Sequence, residues 1–184
     1  MSDIEVIRNQ LTLHTDFPKK GVNFLDIFPI FRDPGVFEIL INHLVDHITS
    51  VTLPKTPNNK IDVVVGLDAR GFLIGPIVAL KLGAAFVPVR KRGKLPGKCV
   101  SASYEKEYAP DIFEMQVEAI KPGQNAIVLD DVIATGGSAK AAGDLVTQLG
   151  GTVIEYVFMI EIPSLDGAAR LNAPLYSMIQ IEKK

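Results

Sequence analysis

The chain has 184 residues, 47% of them hydrophobic and 22% charged, enough to bury one sizeable core. Nineteen basic against twenty-one acidic residues leave no electrostatic footprint for nucleic acid. A single cysteine, Cys99, excludes an intramolecular disulfide. Apolar runs broken by Lys81, Pro76 and Pro88 exclude a membrane span, so a cytoplasmic location is expected.

Ile4, Ile7 and Leu11 fall at helical spacing and predict a short amphipathic helix over 4–13. Residues 16–26 are rich in breakers and aromatics and read as loop with a short extended piece. Asp33-Pro34 is an N-cap followed by an N1 proline, and it opens a helix to about Ile48 with Phe37, Leu40, Ile41, Leu44 and Ile48 on one face. His43 and His47 stand four apart on that helix, but no further ligand frame accompanies them, so exposed histidines are expected. Residues 61–65 read as a buried strand, 66–71 as its turn, 72–82 as a helix ended by Gly83, and 85–89 as another strand.

The run Arg90-Lys91-Arg92-Gly93-Lys94-Leu95-Pro96-Gly97-Lys98 holds five cations in nine residues. A solvated face is the usual reading of such a run. At the end of a strand, with its two glycines and one proline, a mobile cationic flap over an anionic leaving group is also chemically sensible. Residues 101–108 form a polar ribbon in which Glu105 and Glu107 are both candidate acids. Residues 112–120 are expected to be helical, stopped by Lys121-Pro122-Gly123. Strands are expected over 152–160 and 175–181, with a helical turn at 168–171 between them. Alternating β and α elements without repeats predict one α/β domain over 1–184 with a central parallel sheet.

The chemistry concentrates at 126–138. Four apolar residues, Ala126 to Leu129, lead to adjacent carboxylates at Asp130 and Asp131, where the strand is expected to end. The loop Ala134-Thr135-Gly136-Gly137-Ser138 follows, and then a helix closed by Gly150-Gly151. Glycines let a backbone approach a ligand closely, and loop amides at a helix N-terminus make a phosphate socket. Carboxylates beside such a socket would repel the phosphate itself, but they suit sugar hydroxyls, directly or through Mg²⁺. No Gly-Lys-Ser/Thr follows the glycines, so this is not a P-loop. In a parallel sheet the turn carrying Arg70 should open on the same crevice, where its guanidinium suits a second anion.

This strand, acid pair and glycine loop resemble the phosphoribosyl pyrophosphate (PRPP) motif of the type I phosphoribosyltransferases. Together with the stretches 66–72 and 90–97, they make nearly the whole chain similar to the adenine-specific family within that group. The resemblance implies a central, mainly parallel sheet flanked by helices, a base-covering hood from about residues 1–35, and a flexible catalytic loop that includes Lys91 and Tyr108. It implies the reaction of adenine with PRPP to give AMP and pyrophosphate, dependent on Mg²⁺, in a homodimer serving purine salvage. Asp130 and Asp131 would hold the ribose hydroxyls, and Ala134, Thr135, Gly136, Gly137 and Ser138 the 5-phosphate. Asp68, Ala69, Arg70 and Gly71 would receive pyrophosphate with Lys94, joined by Arg90 reaching across from the partner subunit. Asn23, Phe24, Leu25 and Ile162 would enclose the adenine. Where 6-oxopurine enzymes carry an aspartate, this chain has Ala134, so the resemblance moves acid–base work to Glu107, alongside Arg70 and Lys94 as catalytic residues. The alternatives are a transferase for another base and a silent PRPP-binding regulator.

Overall fold

Apolar runs at 63–65 and 126–129 have nothing polar to offer water on either face, and they become the two central strands of a sheet covered on both sides. The computed structural model describes residues 1–21, 23–104 and 111–181. In chain order the elements are α1 (Asp3–Gln10), β1 (Thr12–His14), β2 (Phe24–Asp26), α2 (Phe28–Arg32), α3 (Pro34–His47), β3 (Val63–Leu67), α4 (Gly71–Leu82) and β4 (Ala85–Lys91). There follow β5 (Cys99–Tyr104), β6 (Asp111–Gln116), β7 (Asn125–Ile133), α5 (Gly137–Gln148), β8 (Thr152–Glu161) and β9 (Leu175–Gln180). Seven strands form one sheet in the order β5-β6-β4-β3-β7-β8-β9, and β1 and β2 form a separate antiparallel ribbon. The five strands from β4 to β9 in that order are parallel, and β6 runs against both β4 and β5.

Successive strand residues face opposite ways, so the core divides in two. Val64, Ile127 and Leu129 pack under α1 to α4, whereas Val63, Val65, Ala126 and Val128 pack against α5. Right-handed crossovers then bring the turns after β3 and β7 to one edge. There β3 pairs with β7 only as far as Gly66 and Leu129, while β7 continues beside β8 to Ile133. Beyond Leu129 one side of β7 is therefore open, and this opening becomes the crevice.

Several elements differ from the sequence expectation, each for a physical reason. The helix expected over 112–120 is strand β6: Phe113 and Met115 are buried while Ile112, Glu114 and Gln116 between them are not, a period of two that pairs with β5. The polar ribbon begins as the edge strand β5, on whose first residue Cys99 is half-buried. The opening helix stops at Gln10, and Thr12 to His14 then pair with Phe24 to Asp26. The acid pair does not end β7, which runs on to Ile133 because β8 continues to pair with it.

The two histidines of α3 are not exposed either, because the row that carries them packs on β8 and β9. His47 Nε2 lies 2.9 Å from Glu155 Oε2, which also accepts from Thr52 Oγ1 at 2.5 Å. His43 Nε2 lies 2.8 Å from the Tyr176 hydroxyl, and the His47 ring stacks on Tyr176 at 3.5 Å. Burial alone would raise the Glu155 carboxyl, but the hydrogen bonds from His47 and Thr52 outweigh it and hold the group below its ordinary value. This is a satisfied buried network in the body of the fold, away from the open edge of β7.

Candidate active site

Two helices begin at the crevice, α4 at Gly71 and α5 at Gly137, and neither has a side chain capping its first turn. Their leading N–H groups and positive dipole ends are thus directed at whatever anion enters. Gly71 is needed for this arrangement. A Cβ there would lie 2.8 Å from the Leu129 carbonyl oxygen and 3.3 Å from Asp130 Oδ1, so only glycine lets α4 start against β7. Two anion sockets with an acid pair between them match a molecule that is phosphorylated at both ends and hydroxylated in the middle.

The acid pair is not symmetrical. Asp131 is only 3% exposed, and its carboxylate is paired with Arg70 Nε. Asp130 Oδ1 is buried without a hydrogen-bond partner among the described residues. Burial first, and the neighbouring Asp131 second, push the Asp130 carboxyl well above its usual range, and Arg70 offsets this only in part. The two carboxyls are thus inequivalent: Asp131 is tied to an arginine, while the Asp130 carboxyl is raised by burial and by its neighbour. Carboxyl oxygens placed side by side in this way can accept from the two hydroxyls of a diol. The Arg70 guanidinium also lies 5.6 Å from the centre of the Phe24 ring, within cation–π range. Arg70 therefore joins three segments far apart in sequence: the ribbon carrying Phe24, the 68–71 turn and the acid pair.

On the α4 side, the Asp68–Ala69 peptide is cis, and Asp68 Oδ2 accepts from Arg90 Nε at 2.8 Å. The Arg90 guanidinium lies 5.9 Å from the Phe72 ring centre. The cationic run is exposed over most of its length and is anchored at its base. Arg90 and Lys91 belong to β4, Lys91 Nζ lies 3.2 Å from Asp111 Oδ2, and the Gly93 amide donates to Glu114 Oε2 at 2.9 Å. Lys94 is exposed at the tip, and its carbonyl accepts from Arg90 Nη1 at 3.3 Å. Glu107 and Tyr108, together with Glu105, lie outside the described residues.

The Ile162 amide donates to the Ile133 carbonyl at 3.0 Å, which sets it beside the 134–138 loop. Of the expected hood residues, Phe24 meets Arg70, Leu25 packs into the core under the helices, and Asn23 is exposed. Val22 lies outside the described residues.

The sequence matches the phosphoribosyl transferase domain family over residues 38–182. It is 56% identical to the adenine phosphoribosyltransferase of Yarrowia lipolytica over 173 residues, covering 94% of this chain and 93% of that protein. This chain belongs to the adenine phosphoribosyltransferase family. The Rattus norvegicus enzyme of that name is 43% identical over 182 residues, 98% of each protein. A solved adenine phosphoribosyltransferase from Saccharomyces cerevisiae, complexed with adenine and D-2,5-dideoxy-2,5-imino-altritol 1,6-bisphosphate, superposes with a TM-score of 0.92 at 48% identity, covering 96% of this chain and 98% of that one.

Within this adenine phosphoribosyltransferase fold, one residue at the crevice escapes a reading of the sequence. Gly167, after Asp166 in the left-handed conformation, is buried against the backbone of the 134–136 loop. The Asp-Gly dipeptide marks a turn, and that local signal was available at 166–167. Which loop the turn would press on was not, since thirty residues separate the two.

Proposed function

We propose that this chain has the activity of its family, transferring the 5-phosphoribosyl group of PRPP to adenine and releasing AMP and pyrophosphate. The observation that carries this is the pair of uncapped helix N-termini on one crevice with the Asp130–Asp131 pair between them. The 5-phosphate sits on Ala134 to Ser138, the ribose hydroxyls on Asp130 and Asp131, and the pyrophosphate on Asp68 to Gly71 with Lys94. Adenine lies between Phe24 and Ile162, with Asn23 and Leu25 completing the hood. The bond from the anomeric carbon to pyrophosphate breaks as the bond to the adenine nitrogen forms, and positive charge develops on the sugar ring. Arg70 and Lys94 neutralise the departing pyrophosphate. Glu107 accepts the proton that leaves N7 of adenine as N9 bonds to the sugar.

The donor set suits Mg²⁺: two adjacent carboxyls, one of them with an unpartnered oxygen, are hard ligands at the mouth of the crevice. Two are too few to hold the ion alone; PRPP oxygens would supply the rest, and the ion would neutralise charge on the leaving group.

The test offers PRPP and Mg²⁺ with adenine, hypoxanthine, guanine or xanthine in separate reactions. AMP from adenine alone is expected. Turnover of another base instead would overturn the pocket assignment while keeping the PRPP site. PRPP binding with no turnover on any base would favour a silent sensor.

We also propose that the protein acts as a homodimer through α4. That helix is apolar but for Lys81, and it leaves large apolar side chains in the open: Leu73 is 40% and Leu80 81% exposed. Arg90 stands over Phe72 at its start, next to the face a partner would cover, which suits a role in the partner's crevice. Sedimentation should give twice the 20.0 kDa chain mass, reduced to one chain by Leu80→Glu. A monomeric wild type would overturn the dimer. Among the described residues no helix is long and apolar enough to cross a membrane. Purine salvage in the cytoplasm is the setting that fits, and cell fractionation checks it.

A further inference from the structure

The loop read as the 5-phosphate socket is not self-supporting. Gly136 enters α5 at a φ of 75°, and its neighbours lean on a second turn that follows β8. At Gly167, the first residue of that turn's 3-10 stretch (Gly167–Arg170), a Cβ would lie 2.3 Å from the Ala134 carbonyl oxygen and 2.9 Å from the Gly136 nitrogen. The contact is reciprocal: a Cβ on Gly136 would lie 2.3 Å from the Gly167 carbonyl oxygen. The two nearest neighbours are backbone and cannot swing aside; only the Ile133 side chain, next at 3.1 Å, could yield.

We infer that Gly167 is a positioning residue for PRPP, a backbone anvil that sets where the 134–138 loop presents its amides to the 5-phosphate. The inference rests on the assignment of that loop to the 5-phosphate. Its physical content is specific. Gly167 does not adopt the left-handed conformation, whereas Asp166 before it does, with φ 50°. Alanine at 167 is therefore acceptable to its own backbone, and its whole effect falls on the loop it touches. A contact of 2.3 Å must open to an ordinary van der Waals separation, which moves the loop by about 1 Å. Displacements of that size at a positioning group cost about a hundredfold in efficiency.

The experiment is Gly167→Ala in the full chain, with ligands that do and do not carry the 5-phosphate. KM for PRPP and Kd for AMP should rise by about tenfold to a hundredfold. Adenine KM, pyrophosphate Kd and kcat at saturating PRPP should stay within about twofold. Unchanged PRPP and AMP binding in a folded variant would overturn the inference. So would equal weakening of pyrophosphate, which would mean a general loosening of the crevice. Thr135→Ala and Ser138→Ala separate the two layers. If neither weakens AMP binding, the loop is not the socket and both readings fall. If they do weaken it and Gly167→Ala changes nothing, the inference alone falls. Should Gly167→Ala not fold, hydrogen exchange on the wild type decides. AMP should slow exchange at 134–138 and 166–170 together, and pyrophosphate at neither. Slowing at 134–138 alone would overturn the inference.

Discussion

Arg70→Ala is expected to lower kcat/KM by about a hundredfold to a thousandfold, the range for removing a preorganised charged donor from a reacting centre. The loss has three sources in one side chain. Arg70 stands in the turn that starts α4, where the pyrophosphate is assigned. It pairs with Asp131, and it lies 5.6 Å from the Phe24 ring, to which the base is assigned under the proposed function. Removing it also leaves the Asp131 carboxylate buried without its partner, which should cost about 2 kcal/mol of stability. That figure is set at the low end because Arg70 itself is one-third exposed and screened. The two losses separate in a double mutant. Asp131→Asn in the Arg70→Ala background removes the orphaned charge, so thermal unfolding should return toward wild type while turnover stays low. Arg70→Lys should recover little, because a point charge does not reproduce the planar fork that reaches carboxylate and ring together. A folded Arg70→Ala protein with wild-type kcat/KM would remove Arg70 from the site.

This dependence on Arg70 also marks how far the sequence carries. The buried runs at 63–65 and 126–129 are legible because burial on both faces leaves no choice but apolar residues. The glycine loop is legible because close approach demands glycine, as at Gly136, where a Cβ would lie 2.3 Å from the Gly167 carbonyl oxygen. The stretch 112–116 misleads because Ile112, Phe113, Met115 and Gln116 suit helix and strand equally. Only pairing with β5 and β4 fixes the period as two.

Contacts over long separations are the other limit. The Arg70–Asp131 pair spans sixty-one positions and the His47–Glu155 pair spans one hundred and eight. Both depend on which strands become neighbours. Topology rules bring Arg70 and the acid pair to one edge, but they do not say that the arginine chooses Asp131 and leaves Asp130 bare. Nor does residue type reveal that His43 and His47 are covered, since a helix with apolar residues at 40, 41 and 44 can place its flanking rows in or out. The glycine at 167 is the same kind of case, where a local turn signal is plain and the surface it presses on is not.

Asp130→Asn is expected to stabilise the unliganded protein and to cut turnover by about a hundredfold, a trade that identifies a group strained for function. The unfolded chain ionises this carboxyl near 3.8, while the fold raises it through burial and the charge of Asp131. Folding at neutral pH must therefore bind a proton or bury a charge, and stability declines as pH rises above 3.8 toward the raised value. Asparagine has no charge to bury, so the variant should unfold at higher temperature near neutrality, by about 1 kcal/mol of stability. That advantage should vanish below the ordinary carboxyl range, where both side chains are neutral. PRPP binding should follow the opposite course. Ribose hydroxyls donate best to an ionised carboxylate, so wild-type affinity gains as pH rises through the raised value, and the variant lacks that gain. Comparing the two proteins across pH cancels the titration of PRPP itself. A variant less stable than wild type at neutral pH, with an identical pH profile for PRPP, would show that Asp130 is an ordinary satisfied carboxylate. The expected pairing of higher stability with lost binding would place the unpartnered oxygen where the sugar must sit.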